Sequence, residues 1–388
     1  MISIHQATDI IANTTFAKQE KLIPVKESLG YFLASDLKAP FDLPTFDNSA
    51  MDGYAVCGNG PEYEIIGEIQ AGNIQKQSLR EGQAFRIFTG AKIPAHSTAV
   101  IMQEKAIVTD THLTIQDTPN PGKNIRRKGE QIKASQVVFE TGQKINPSVI
   151  GLLSSFGLQE VKVYSKPGIT LLTTGNELIE PGKHLKEGQL YESNGATLSA
   201  ALEQKGYTIQ HHEHIKDDYE STKKRIGIHL NKSNVLLISG GISVGDYDFV
   251  KKALEENGVE EIFYKVMQKP GKPLFFGRKG DTFVFGLPGN PASSLVCLHI
   301  YVVALLSRLS GSTEAQQTVL HLPLEDDYHM KFKRPSFLKS RISADGVKIL
   351  EGQSSSMLLS MASGNALVLL EKEGMYQKGD WVKCYDLG

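Results

Sequence analysis

Between residues 167 and 310 the chain alternates short apolar runs with helical patterns, and this alternation constrains the fold more than any other feature. Ile169 to Thr173 reads as a buried strand. Leu198, Ala201 and Leu202 then share one helix face, and Gly206 stops that helix. Tyr207 to His211 is the next strand, Tyr219 to Leu230 a helix, Val235 to Ile238 a strand. Phe249 to Asn257 is a helix ending at Gly258, Phe283 to Phe285 a strand, and Pro291 to Leu309 a long helix. Strands and helices in alternation imply an α/β fold, a mostly parallel sheet with helices on both faces in three layers.

The flanks have a different texture. Residues 40–145 carry short β-prone runs, such as Ala84 to Phe88 and Ala99 to Met102, separated by Gly and Pro at close spacing. They read as a small β-rich domain. Residues 315–388 return to short strands, among them Ala366 to Glu371 and Trp381 to Tyr385, as expected of a small C-terminal β domain. With 388 residues, two or three domains of about 150 residues are expected. A net charge of −1 gives no global reason to bind nucleic acid or a membrane surface. The longest apolar run, Leu295 to Leu306, contains His299 and is short of the ~20 residues that span a bilayer. Cys57, Cys297 and Cys384 are widely spaced, with no metal or redox motif, which fits a cytoplasmic protein.

In an open α/β sheet, ligands bind beyond the carboxyl ends of the strands. Four loops lie there. Thr173 to Leu178 reads TTGNEL, directly after its strand. Ser239 to Val250 reads SGGISVGDYDFV, a strand running through glycines into a helix, which aims backbone N–H groups at an anion. Gly240, Gly241 and Gly245 permit close backbone approach; Asp246 reads as a helix cap, and Asp248 either as a dipole partner or as a residue that binds a metal or the ligand. Lys269 to Pro273 reads KPGKP, two lysines held by prolines, either solvated or facing an oxyanion. Gly286 to Ser294 reads GLPGNPASS, where Asn290 suits an N-cap and Pro291 the first helical position, behind the stiff Pro288-Gly289 pair.

Other features read as structural. Asp217 with Glu220 is a capping box for the helix that follows. His211, His212 and His214 alternate across a strand, with no carboxylate or cysteine at ligand spacing, so zinc is not expected. The basic turn NIRRKGE, Asn124 to Glu130, is solvated or covers phosphates. Asp52-Gly53, in DNSAMDGYAV, is a strong turn signal. Together, the glycine cradles, fixed lysines and carboxylates suit a phosphate-containing ligand, a divalent cation and a second oxyanion.

PTFDNSAMDGYAV, SGGISVGDYDFV, KPGKP and GLPGNPASS, in this order over nearly the whole chain, resemble MoeA, the molybdopterin molybdenumtransferase family related to the gephyrin E domain. The resemblance implies four parts: residues 1–19 with 167–314 as the α/β molybdopterin-binding domain, 20–38 with 136–166 as a linker domain, 39–135 as the inserted β-rich domain and 315–388 as the C-terminal β domain. It implies a homodimer, with the molybdopterin adenylyltransferase and molybdoenzyme chaperones as protein partners. The implied reaction takes adenylylated molybdopterin and molybdate to molybdenum cofactor and AMP. The family's catalytic positions fall on Asp52, Thr89, Glu177 and Asp248, and Asp52, Glu177 and Asp248 would also hold Mg2+. Gly240, Gly241, Ser243, Gly245, Pro288, Gly289, Asn290 and Pro291 would bind the pterin substrate. Lys269, Lys272, Pro273, Lys339, Arg341 and Ser355 would face molybdate.

The chain departs from the family pattern in three places. Gln131 stands in GEQI where many members carry an acid, Gln353 to Ser356 read QSSS where many read QGSH, and Lys339 replaces a common arginine, losing its bidentate fork. Two rival readings are a molybdopterin adenylyltransferase, against which the extra β domains speak, and a gephyrin-E-like scaffold without catalysis, against which the intact acids and lysines speak.

Overall fold

The computed structural model describes residues 1–73, 76–242, 249–313 and 318–388. The chain divides into two compact units: Met1–Ala34, Gly142–Pro147 and Glu160–Gly388 form the first, Ser35–Thr141 and Ser148–Gln159 the second.

The first unit is built on a six-stranded sheet. Its strands are β1 (Ile169–Thr174), β2 (Ile209–Ile215), β3 (Val235–Ser239), β4 (Glu260–Tyr264), β5 (Phe275–Lys279) and β6 (Thr282–Leu287), in the order β2-β1-β3-β6-β5-β4. β2, β1, β3 and β6 run parallel; β5 and β4 are an antiparallel extension. Successive residues of the central strands enter opposite cores. Leu171, Leu237, Phe283 and Phe285 pack with the helices Ile4–Ala12, Asn194–Gln204 and the long stretch Pro291–Leu309. Leu172, Leu236, Ile238 and Val284 pack on the other face with the helices Tyr219–Leu230 and Phe249–Glu256. This two-sided burial explains why the central strands are continuous apolar runs. Pro291–Leu309 includes a wider π-helical turn at Leu298–Val302 and is mostly buried, a core helix of this unit.

Two expectations shift. The strand expected at Tyr207 to His211 is Ile209–Ile215, because an edge strand accepts the polar run Gln210 to His214. The antiparallel pair Glu260–Tyr264 and Phe275–Lys279 was not expected.

The C-terminal five-stranded antiparallel sheet belongs to the same unit. Its strands alternate between two cores: Leu338, Val368 and Leu370 pack within the sheet's own cluster, whereas Phe337, Leu367 and Leu369 join the core of the α/β sheet.

The second unit centres on another six-stranded sheet, which includes Gly53–Val56, Gln83–Ile87 and Ala99–Met102. Asp52-Gly53 is no hairpin turn. Gly53 opens a strand paired on both sides, and a Cβ there would lie 1.9 Å from the Ile101 carbonyl oxygen. Crowding by backbone, not a positive φ, demands glycine.

Four aspartates near the start of this unit tie down loops distant in sequence. Asp36 accepts from Thr141 N and Oγ1 (both 2.8 Å), Asp42 from Ala134 N (2.8 Å), Asp47 from Lys128 N (2.8 Å), and Asp52 from Thr89 N and Oγ1 (both 2.7 Å). Asp47 also pairs with Arg127 at 2.7 Å, so the basic turn NIRRKGE is folded onto this segment. In each case the backbone N–H bond is the main reason the carboxyl lies below its ordinary pKa.

Two outcomes follow for the second unit. Gly53→Asn, which a turn would tolerate, should destabilise this unit by about 1–3 kcal/mol in urea unfolding, as overpacking does; a wild-type midpoint would restore the turn reading. The aspartates have folded pKa values below their unfolded ones, so the unfolded chain binds more protons and their contribution grows with pH. It is complete above the ordinary aspartate pKa of about 3.9 and is lost as pH falls through the depressed values. Amide exchange at Thr89, Lys128, Ala134 and Thr141, corrected for intrinsic rates, should therefore accelerate on acidification below that pKa. Asp47→Asn should reduce the pH dependence at Lys128, and an equal response in wild type and variant would exclude the tie.

Candidate active site

β1 ends at Thr174, β3 at Ser239 and β6 at Leu287. From β1 the chain passes first to β2 on one side and then to β3 on the other, so the carboxyl ends of β1 and β3 flank a topological switch point. A cleft of about 660 Å³ opens there. Its walls come from the loops after all three strands, together with residues 190–194, Asp217, Pro273, Ser356 and Leu358.

Backbone packing sets the floor. The Gly240 N–H donates to the Leu287 carbonyl at 3.2 Å, its φ is +101°, and a Cβ would stand 2.5 Å from the Thr174 carbonyl oxygen. Only glycine meets both demands. Asn194, buried in the first turn of its helix, donates to Ser239 Oγ at 2.9 Å and to the Gly289 carbonyl at 2.7 Å. One amide thus joins a helix to the ends of two strands, while its own Oδ1, buried at the cleft wall, has no partner among the described residues. Ser294 Oγ donates to the Pro288 carbonyl and fixes the Pro288-Gly289 turn. Pro291 occupies the first helical position as expected, but the Asn290 side chain makes no cap; it donates to Ser355 Oγ at 2.9 Å.

The charged lining is acidic. Glu177, Glu192 and Asp217 face the cleft, and no lysine or arginine is among the described lining residues. Asp217 Oδ1 accepts from Thr174 Oγ1 at 3.1 Å. The capping reading of Asp217 is corrected: the N-cap is Asp218, whose carboxylate accepts from Ser221 N at 2.8 Å.

The KPGKP loop contributes Pro273 to the cleft, not its lysines. Lys269 pairs through its backbone with Pro335 and Phe337, and its ammonium stands 3.0 Å from the Phe332 ring centroid. Burial, helped by Arg334, holds that ammonium below the ordinary lysine pKa. Lys272 is exposed. Beneath the loop, Gln268 Nε2 donates to the Pro270 and Gly271 carbonyls at 3.0 and 3.3 Å, and Tyr301 Oη donates to Gln268 Oε1. A Cβ on Gly271 would meet Cys297 Sγ at 2.6 Å, so loop and long helix are fitted closely.

From the C-terminal sheet, Lys339 is 2% exposed, and its Nζ donates to the carbonyls of Gly352, Ser354 and Met357 at 2.6, 2.9 and 3.1 Å. With three donors spent, Lys339 braces the loop bearing Ser355 and Ser356 and leaves no donor for an anion. Arg341 donates to the Ser363 carbonyl through Nε at 2.9 Å. Asp52 and Thr89 bond each other within the second unit. Ser243, Gly245, Asp246 and Asp248 lie outside the described residues.

Sequence reasoning missed Glu192, Asn194 and Asp217. Asp217 had a signal: two consecutive acids precede the helix, and only one is needed as a cap.

Residues 2–157 match the model of the MoeA N-terminal region (domain I and II), residues 170–308 that of a probable molybdopterin binding domain, and residues 321–387 that of the MoeA C-terminal region (domain IV). A molybdopterin molybdenumtransferase of Haemophilus influenzae is 33% identical over 386 residues, covering 96% of this chain and 95% of that one. One from Staphylococcus epidermidis is 30% identical over 387 residues, covering 95% and 91%. A crystal structure of a molybdopterin biosynthesis MoeA protein from Pyrococcus horikoshii OT3 superposes with a TM-score of 0.86 at 26% identity, over 100% of both chains. With its three regions matched in order and a relative above 30% identity over almost its whole length, the chain belongs to the MoeA family of molybdopterin molybdenumtransferases.

Proposed function

We propose that the chain inserts molybdenum from molybdate into adenylylated molybdopterin in the cytoplasm, releasing AMP, with Mg2+ bound during turnover. The observation that carries this reading is the cleft at the switch point, which joins a glycine floor and a helix N-terminus to an acidic wall. Gly240 and Gly289 leave backbone bare for close approach of phosphate oxygens, and the start of the Pro291 helix adds favourable partial charge. Three carboxylates would repel such an anion unless a cation stands between them. Glu177 and Asp217 suit Mg2+, a hard ion that takes one or two carboxylates together with substrate phosphates. When bound, Mg2+ supplies charge neutralisation at the phosphate oxygens. Thr174 Oγ1 orients the Asp217 carboxylate, and Asn194 and Ser294 keep the two strand-end loops at fixed spacing.

For molybdate, a tetrahedral dianion, the proposed donors are Ser355 and the exposed Lys272, which precedes cleft-lining Pro273. Lys339 acts through the loop it braces. We further propose a homodimer in which Asp52 takes part in the same reaction.

Three measurements test the proposal. Asp217→Asn should raise the Mg2+ needed for half-maximal AMP release about ten- to a hundredfold, the loss of one charged contact, with urea stability little changed; wild-type Mg2+ dependence would remove Asp217 from the metal. Lys272→Ala should raise the half-saturating molybdate concentration by a similar factor at saturating adenylylated pterin, and an unmoved half-point would take Lys272 out of the anion site. Mixing Asp52→Ala with Asp217→Asn subunits should recover part of the activity after exchange, and verified heterodimers that stay inactive would exclude sharing of the site. AMP release that does not require molybdate would overturn the insertion reading itself.

A further inference from the structure

Away from the cleft, the edge strand β2 and the helix Tyr219–Leu230 bring together His211, Glu213 and His229. Read along the strand, the histidines had no carboxylate at ligand spacing. The fold corrects this: His211 and Glu213 share one face of β2, and His229 comes from the helix packed there. His211 Nε2 and His229 Nε2 lie 3.6 and 3.2 Å from the same carboxylate oxygen, Glu213 Oε2. The potential ligand atoms all lie within 4.8 Å of one another. Arg225 takes the other oxygen, Oε1, at 2.6 Å. The carboxylate is thereby oriented by a neighbour, with Oε2 turned to both imidazoles.

We propose that His211, Glu213 and His229 form a site for a divalent transition metal of the zinc type. Ligand distances of about 2.0–2.2 Å in a tetrahedron place ligand atoms about 3.3–3.5 Å apart, close to the two nitrogen-to-Oε2 separations; the rings stack with centroids 4.7 Å apart, so the exposed His211 ring turns to aim its nitrogen at the ion. Imidazole nitrogen with one carboxylate oxygen suits Zn2+ and its borderline neighbours better than Mg2+ or Ca2+, which prefer all-oxygen sets. Water completes the fourth position, and the entry path is open on the His211 side, whose side chain is 52% exposed against 7% for His229. The metal takes the place of protons between the nitrogens and Oε2, and these leave to solvent. Arg225 plays the part of an outer partner that fixes a ligating carboxylate. The site ties β2 to the helix, and the turn between them carries Asp217 to the cleft. Its consequence is a metal-dependent clamp on that turn, separate from the chemistry proposed for Asp217.

The test uses the full chain, freed of metal by a chelator and titrated with Zn2+ against a chromophoric competitor, and with Co2+ by visible absorption. Wild type should bind one equivalent of Zn2+ with a tetrahedral-type Co2+ spectrum, and excess Zn2+ should raise its melting temperature. His211→Ala, at a half-exposed position, should fold yet bind at least about ten- to a hundredfold more weakly and lose the thermal shift; Glu213→Gln should do the same. No binding by wild type, or equal binding by wild type and both variants, would overturn the site and leave the cluster as an ion-pair network.

Discussion

A sheet that buries both faces has only its strand ends to offer a ligand, and the rest of the first unit follows from that constraint. Leu171 and Leu172 enter different cores, so neither face of β1 is free for chemistry. The backbone must leave the sheet at Thr174, Ser239 and Leu287, and its polar groups must be satisfied there. The answer is a set of short-range ties: Gly240 N–H to Leu287 O, Asn194 across to Ser239 and Gly289, Ser294 to Pro288. These bonds place bare backbone and a helix start along one side of a cleft.

The other side is acidic, and the combination has a direction. Backbone N–H groups and a helix N-terminus attract an anion, whereas Glu177, Glu192 and Asp217 repel it, and no lysine or arginine among the described lining residues balances them. On the function proposed above, a site of this kind takes an anion that arrives with, or meets, a divalent cation. Lys339 extends the same logic. A buried ammonium is costly unless its hydrogen bonds are made, and three loop carbonyls make them. Such a lysine is a tether, and its loop bears Ser356, which lines the cleft.

What was legible in the sequence was what packing dictates. The helix Tyr219–Leu230 was read to its boundaries, and the strands β1, β3 and β6 were located, though cut short at their ends, because they are continuous apolar runs. The polar edge strand β2 was misplaced, since solvent relieves an edge of the apolar requirement. The cleft loops were legible through their glycines and prolines, which report backbone demands. Asn194, Glu192 and the contacts made by Asp217 and Lys339 were not, because each depends on a partner distant in the chain. His229 is the clearest case: nothing in its helix pairs it with Glu213, and only the packing of that helix on β2 does.

Asp52 shows where geometry stops and family membership begins. Its carboxylate accepts from Thr89 N and Oγ1 at 2.7 Å, an arrangement that looks made for a poised acid. Asp36, outside the DNSAMDGYAV stretch, does the same with Thr141 N and Oγ1 at 2.8 Å. Two such pairs in one unit mark a structural device: a short side chain that closes a long loop and stays ionised through the bonds it accepts. The hydrogen bonds therefore assign no chemistry to Asp52. Gly53 beside it is equally explained by the Ile101 carbonyl. Structure accounts for why this motif reads Asp-Gly with a threonine at 89: the carboxylate takes both donors of Thr89, and the next residue has no room for a Cβ.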